Sequence, residues 1–410
     1  MTIRHGKLPA EFISMPPVSS RSADPTGATA GFYVADVHIA KGRIDSVSTT
    51  AQPAPDALNA DGCYVLPGFV DIHVHGAMGR DVMDADPHGL LEMARFFAGH
   101  GVTSFMPTTM TASPAETLAA VEGVARAIAL QQTLTTAAAR GARMLGIHLE
   151  GPFISPQFPG AQPANQIRPP DVHEFEALAN AGPVRMITLA PEQPTAAALI
   201  EAARRRGIIT VYGHTAATYE QCQAAIALGV QQATHTYNAM SGLHHRHPGT
   251  LGATLSDARV YAQLIADTIH VHPAAMNILA RCKGADRTVL ITDAMRAAGL
   301  PDGQYSLGGQ DVFVHEGECR LADGTLAGSV LTMDKALPNF LAAANQSLAE
   351  LWPTSSRTPA MSIKVDHEIG AILPGYRADL VLLEENTLEV AATIVQGEIA
   401  YLRHVARRQI

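Results

Sequence analysis

Asp71-Ile72-His73-Val74-His75 places two imidazoles two residues apart, directly after the apolar run Val65-Leu66-Pro67-Gly68-Phe69-Val70. Side chains two apart on a strand share a face, so the two rings lie side by side. Buried imidazoles need a partner, and a divalent metal suits neutral imidazole nitrogen. Groups of the same chemistry recur further on: Glu150 in His148-Leu149-Glu150-Gly151-Pro152, His214 in Gly213-His214-Thr215, His235, and Asp293 in Thr292-Asp293-Ala294. Taken singly, each has a plainer reading. A histidine can be a hydrogen-bonded core residue, Glu150 a turn carboxylate and Asp293 a helix cap. Gathered at one rim, they read instead as a site for zinc, iron, cobalt or manganese. His148 lies two residues before Glu150, on the same face one layer deeper. It is read as packing behind the ligands.

The elements that must position these groups follow from the apolar pattern. After Pro67, strand-like runs at 69–73, 103–107, 144–149, 184–189, 208–212, 232–236, 261–266 and 289–292 alternate with helical stretches such as 87–99, 114–130, 194–206 and 219–228. Continuous apolar strands separated by helices indicate a parallel sheet covered on both faces. Eight such units predict an α/β fold, a closed (β/α)8 TIM-type barrel, whose chemistry sits at the C-terminal ends of the strands. Strand 1 then ends in His73 and His75, Glu150 ends strand 3, strand 5 runs into His214, strand 6 carries His235 and strand 8 ends at Asp293. Short strands at 32–39, 43–47 and 64–66, and again at 378–383, 390–395 and 397–402, predict a small β-sandwich built from both chain ends. The expected units are 1–66, 67–370 and 371–410, the first and last sharing that sandwich. A Pro/Ser/Thr/Gly-rich loop is expected over 14–31 and hairpins within 303–328. A helix is expected over 332–350, with Pro338 its kink or break.

Bulk properties narrow the function classes. Hydrophobic residues make up 47% of the 410 and charged residues 16%, enough for a sizeable core. A net charge of −9 argues against non-specific binding to nucleic acid or anionic membrane. No apolar stretch approaches the roughly 20 residues of a spanning helix, and residues 1–22 contain no apolar signal core. Cys63, Cys222, Cys282 and Cys319 form no CxxC pair, so reduced thiols and a cytoplasmic setting are expected.

Several runs together carry a resemblance. They are Pro67-Gly68-Phe69-Val70-Asp71-Ile72-His73-Val74-His75-Gly76, Gly79-Arg80-Asp81-Val82-Met83-Asp84, Gly101-Val102-Thr103-Ser104-Phe105-Met106-Pro107-Thr108-Thr109 and His148-Leu149-Glu150-Gly151-Pro152-Phe153. Further on come Ala233-Thr234-His235-Thr236-Tyr237-Asn238-Ala239-Met240, Thr292-Asp293-Ala294-Met295 and Asp323-Gly324-Thr325-Leu326-Ala327-Gly328-Ser329. The chain resembles the N-acetylglucosamine-6-phosphate deacetylase family of the amidohydrolase superfamily from about Gly31 to Leu383. The resemblance implies a metal site of Glu150, His214 and His235, and a second site of His73 and His75 with Glu150 as bridge. One or two divalent ions per subunit are implied, zinc first among the candidates. Asp293 takes the place of the catalytic acid/base. Asn238, Ala239, Arg246 and Asp267 to His270 match positions that hold the sugar phosphate, and Leu326, Ala327 and Gly328 match a segment lining the substrate pocket. Arg246 is implied to reach the neighbouring subunit's site, hence a homodimer.

The chain departs from that pattern at Gly160-Ala161-Gln162, where the family has a histidine at the third position that contacts the substrate. Gln162 can donate a hydrogen bond but cannot titrate. Arg246-His247-Pro248-Gly249 stands where Arg-Glu-Pro-Gly is usual, and the N-terminal extension is longer. His244, His245 and His247 are read as loop residues without ligand roles. The implied reaction is deacetylation of an N-acetyl amino-sugar 6-phosphate, with the glucosamine and galactosamine epimers both open. Another N-acyl or cyclic-amide substrate and a catalytically silent barrel stand as alternatives.

Overall fold

The protein is described from a computed structural model that covers residues 1–13, 31–50 and 57–403. The loop expected over 14–31 lies outside the described residues, Gly31 apart. Eight parallel strands follow one another around the barrel: β1 (Phe69–Val74), β2 (Val102–Thr109), β3 (Ile147–Glu150), β4 (Val184–Leu189), β5 (Ile209–Tyr212), β6 (Gln232–Ala233), β7 (Tyr261–Ile265) and β8 (Thr288–Ile291). β1 and β2 are buried at every residue, as strands covered on both faces must be. The seam between β8 and β1 is bridged rather than laddered. The Asp293 N–H donates to the His73 carbonyl at 3.0 Å, and the Thr292 hydroxyl donates to the buried Asp71 carboxylate at 2.5 Å.

The helices between strands begin where local signals place them. Pro87 and Pro114 occupy first-turn positions after Asp86 and Ser113, whose side chains cap free N–H groups. Thr218 and Gln221 form a reciprocal cap on Tyr219–Leu228, which ends at Gly229 with φ 115°.

Four expectations change. The run 144–149 is broken, with Arg143–Met144 and β3 separated around Gly146 at φ 138°. β6 stops at Ala233, so His235 stands beyond the strand. The helix at 332–350 breaks at Asn345 (φ 54°) and not at Pro338, which sits inside Met333–Ala344. Pro338 lacks only the N–H that would reach Asp334, while the buried Leu337 and Phe340 hold both halves in place. Finally, Thr2–Pro9 is a strand that the pattern did not announce. His5 has φ 60° and the register shifts between Ile3 and Gly6, which disrupts the alternation.

Strands from both chain ends pair in one hydrogen-bonded path. The order is Glu398–Leu402, Val390–Val395, Leu380–Glu384, Cys63–Pro67, Thr2–Pro9, Phe32–Ala40 and Arg43–Ser48, with Ala57–Asn59 beside Thr2–Pro9. A third, antiparallel sheet of Gly303–Leu307, Gln310–His315 and Glu318–Arg320 lies within the expected hairpin region. Its Leu307, Val312, Val314 and Cys319 pack with Met110, Ala161, Met295 and Ala327, which follow the ends of barrel strands. This sheet therefore covers part of the barrel mouth.

Candidate metal centre

His73, His75, Glu150, His214, His235 and Asp293 meet at the C-terminal end of the barrel, all of them buried. They form two groups of potential ligands, His73/His75/Asp293 and Glu150/His214/His235. Glu150 joins the groups: its Oε1 lies 3.2 Å from His235 Nε2, 3.4 Å from His214 Nε2 and 3.3 Å from His73 Nε2, and its Oε2 lies 3.2 Å from His75 Nε2. Asp293 Oδ1 lies 3.1 Å from His75 Nε2 and 3.5 Å from His73 Nε2.

The chain presents these side chains by leaving the strands abruptly. His214, His235 and Asp293 have φ values of 46°, 25° and 52°, the left-handed region that side chains rarely adopt. Such backbone costs on the order of 1–3 kcal/mol per residue and persists where neighbours hold it. Here Ser155 N–H donates to the His214 carbonyl at 2.8 Å, and Ser329 N–H to that of Asp293 at 2.8 Å. Gly160 (φ 54°) allows its loop to pass His214, since a Cβ there would stand 3.2 Å from the ring.

Each of the four histidines has its outer nitrogen engaged. Nδ1 of His73 faces Gln263 Oε1 at 3.4 Å, that of His75 the Thr108 carbonyl at 3.1 Å, that of His214 the Phe158 carbonyl at 3.0 Å and that of His235 the Asn238 carbonyl at 3.2 Å. An Nδ1–H pointing outward leaves the Nε2 lone pair pointing inward, the state a metal requires. Nε2 atoms of His214 and His235 are 3.0 Å apart and those of His73 and His75 3.3 Å. A tetrahedral ion with bonds of 2.0–2.1 Å separates its ligands by about 3.3 Å. The donor set and its spacing therefore fit zinc or a related ion.

Burial opposes charge on Glu150, Asp293 and His75, but attraction within the site outweighs it. For Glu150, the His73 charge and hydrogen bonds from His214, His235 and His73 hold the carboxyl well below its usual value despite burial. Asp293 is held at about 2, burial being overcome by His73 and His75. His75 is raised despite burial, through Asp293 and Glu150. Carboxylates that favour a proton on the imidazoles favour a cation in its place. His148, by contrast, is buried behind His73, ring to ring at 4.7 Å, with Nε2 on the Thr188 hydroxyl at 2.8 Å. Burial and then the His73 charge push its pKa well down.

A cavity of about 200 Å³, open to solvent, lies over the ligands. Ala161, Gln162, Asn238, Ala239, His270, Leu326 and Gly328 line it, and Ala327 is buried beneath that wall. Asp267 stands behind the lining: its Oδ2 holds His270 Nδ1 at 2.6 Å, and its Oδ1 accepts the His270 N–H at 2.8 Å. Asn238 Nδ2 is buried without a hydrogen-bond partner. Gln162 donates to Glu150 Oε2 at 2.7 Å, a contact the sequence did not suggest. Arg246 is exposed on the loop beside His245, outside this cavity. Thr325, within the run 323–329, also lines it, as do Met110, Ile265 and Leu307, which the sequence did not single out as site residues. The outer histidine partners were equally silent, since three of the four are backbone carbonyls.

The sequence profile of the amidohydrolase family matches residues 64–400. The chain is 42% identical over 347 residues to the N-acetylglucosamine-6-phosphate deacetylase of Lysinibacillus sphaericus, covering 84% of this chain and 87% of that protein. It is 39% identical over 359 residues to the N-acetylgalactosamine-6-phosphate deacetylase of Escherichia coli O157:H7, covering 87% and 93%. Among solved structures, a variant N-acetyl-D-glucosamine-6-phosphate deacetylase of Mycobacterium smegmatis, in complex with N-acetyl-D-glucosamine-6-phosphate, superimposes with a TM-score of 0.86 at 32% identity, covering 98% and 99%.

Proposed function

The chain belongs to the amidohydrolase family, among its amino-sugar-phosphate deacetylases, and on that premise we propose that it hydrolyses the acetamide of N-acetyl-D-glucosamine 6-phosphate to D-glucosamine 6-phosphate and acetate with the help of a divalent metal. The observation that carries this reading is the convergence of four inward-facing imidazole nitrogens with Glu150 and Asp293 at and beneath the floor of one open cavity. Glu150, His214 and His235 would hold one ion, and His73 and His75 a second with Glu150 between them. Zinc suits the set, and iron, cobalt and manganese remain in the same class. A bound ion supplies a water nucleophile at neutral pH and polarises the amide carbonyl.

The residues do the rest. Asp293, ionised at neutral pH, takes a proton from the attacking water as its oxygen bonds to the acetyl carbon. The same proton passes from Asp293 to the leaving nitrogen as the C–N bond breaks. Water has then been added across the amide, and acetate and the amine leave. His270, oriented by Asp267, and the unpartnered amide of Asn238 are placed to grip the phosphorylated sugar. No lysine or arginine lines the cavity among the described residues, so one subunit offers a phosphate dianion no permanent cation. Arg246 of the partner subunit would supply it in a homodimer.

Acetate release from N-acetyl-D-glucosamine and N-acetyl-D-galactosamine, each with and without the 6-phosphate, tests the proposal after metal reconstitution. Turnover of the glucosamine 6-phosphate, lost on metal removal, is expected. Preference for the galactosamine epimer would transfer the assignment to the second relative's substrate. No release from any phosphorylated sugar would refute it.

A further inference from the structure

We infer that Gln162 is a positioning residue that locks Glu150 between two metal positions and so secures the second ion. The inference rests on the two-ion reading above. Glu150 Oε1 faces His214, His235 and, at 3.3 Å, His73, whereas Oε2 faces His75 of the second group, so the two oxygens together reach both groups. A carboxylate free to rotate could instead turn both oxygens toward the His214/His235 pair and serve a single ion. Gln162 prevents that rotation by donating from Nε2 to Glu150 Oε2 at 2.7 Å.

The clamp is itself fixed. Gln162 Oε1 accepts the Thr111 backbone N–H at 2.7 Å. Only an oxygen can accept that N–H, and only the NH2 group can donate to a carboxylate, so the amide has one orientation. The side chain is 4% exposed, which shields both bonds from water. Thr111 follows β2 and Glu150 ends β3, so the clamp ties the bridging carboxylate to the neighbouring strand's loop. A neutral group does this without adding charge to a site where six titratable side chains already compete for cations and protons. The residue has been placed in the wall of the substrate cavity, yet both its polar ends are committed to protein atoms.

The test is metal stoichiometry and affinity, read by elemental analysis and chelator competition on the full-length protein reconstituted with zinc. Wild type is expected to hold two ions per subunit. Gln162→Met, of similar length without polar atoms, is expected to hold one, the second binding about 10–100-fold more weakly. Thermal unfolding of both proteins monitors folding. Should the Met variant not fold, Gln162→Asn, too short to span Thr111 and Glu150 together, is expected to show the same loss. Two ions of unchanged affinity in a folded variant would overturn the inference, even if KM rose, because that pattern marks a substrate contact. A single ion in wild type would overturn it as well, whereas no ion in wild type would instead refute the metal-dependent function.

Discussion

Asp293 shows how much of the proposed chemistry depends on one residue's surroundings. Its left-handed backbone is held on both sides, by the bond of its N–H to the His73 carbonyl and of its carbonyl to the Ser329 N–H. Burial pushes the carboxyl up, but His73 and His75 outweigh it and hold the group at about 2, so it enters the reaction as a base at any pH near neutral. Asp293→Asn preserves size and hydrogen bonding but cannot accept the proton. It is expected to lower kcat by about 10²–10⁴-fold with KM changed only a few-fold, as read in steady-state acetate release. A loss under tenfold would remove Asp293 from the proton path. The charged and imidazole residues of this site were legible in the sequence because their types are costly to bury and fell at strand ends. Gln162 was legible as a departure but not as a clamp, because the bond that fixes its direction comes from Thr111, 51 residues away.

At the level of elements, local signals gave the helix starts at Pro87, Pro114 and Tyr219, since caps and prolines act within one turn. Features set by distant packing were not legible: the two-residue β6, the intact helix through Pro338 and the first strand, Thr2–Pro9. Lys283 is another such feature, an element-level tie hidden in an ordinary helical stretch. It rises from Pro273–Arg287 and donates to the carbonyls of Thr254 and Asp257 at 2.9 and 2.7 Å, satisfying the open end of Gly249–Ser256. Burial lowers its pKa from 10.5 to about 8. Between those values the unfolded chain holds a proton that the folded chain has released, so this group makes stability rise with pH. The melting temperature of wild type minus that of Lys283→Met should therefore increase from pH 7.5 to pH 10, by at least about 2 °C. A flat or falling difference would show that the ammonium stays charged in the fold.

On the scale of the whole molecule, the barrel was legible from repetition, eight apolar runs spaced by helices, whereas the strand order of the end sheet was not. Thr2–Pro9 sits between Phe32–Ala40 and Cys63–Pro67, and the C-terminal strands continue the path from Cys63–Pro67, pairings that no local pattern specifies. Charge distribution raises a further question at this scale. The protein carries −9 overall, and no lysine or arginine lines the described cavity, yet the proposed substrate is a phosphate ester. Arg246 is exposed and outside the cavity of its own chain, and under the proposed homodimer a second copy would supply the cation. Mixed dimers decide between the arrangements. Asp293→Asn and Arg246→Ala subunits are each expected to be poorly active alone. When the two are unfolded, mixed in equal amounts and refolded, half of the dimers contain one of each. In such a dimer the subunit with intact Asp293 receives Arg246 of the partner subunit, while the other site lacks both, so one site in two recovers. The mixture should then regain roughly a quarter of wild-type activity at limiting substrate. If Arg246 acts within its own subunit, no site in the mixed dimer is complete. Activity would then stay at the mean of the two variants, and the trans assignment would fail.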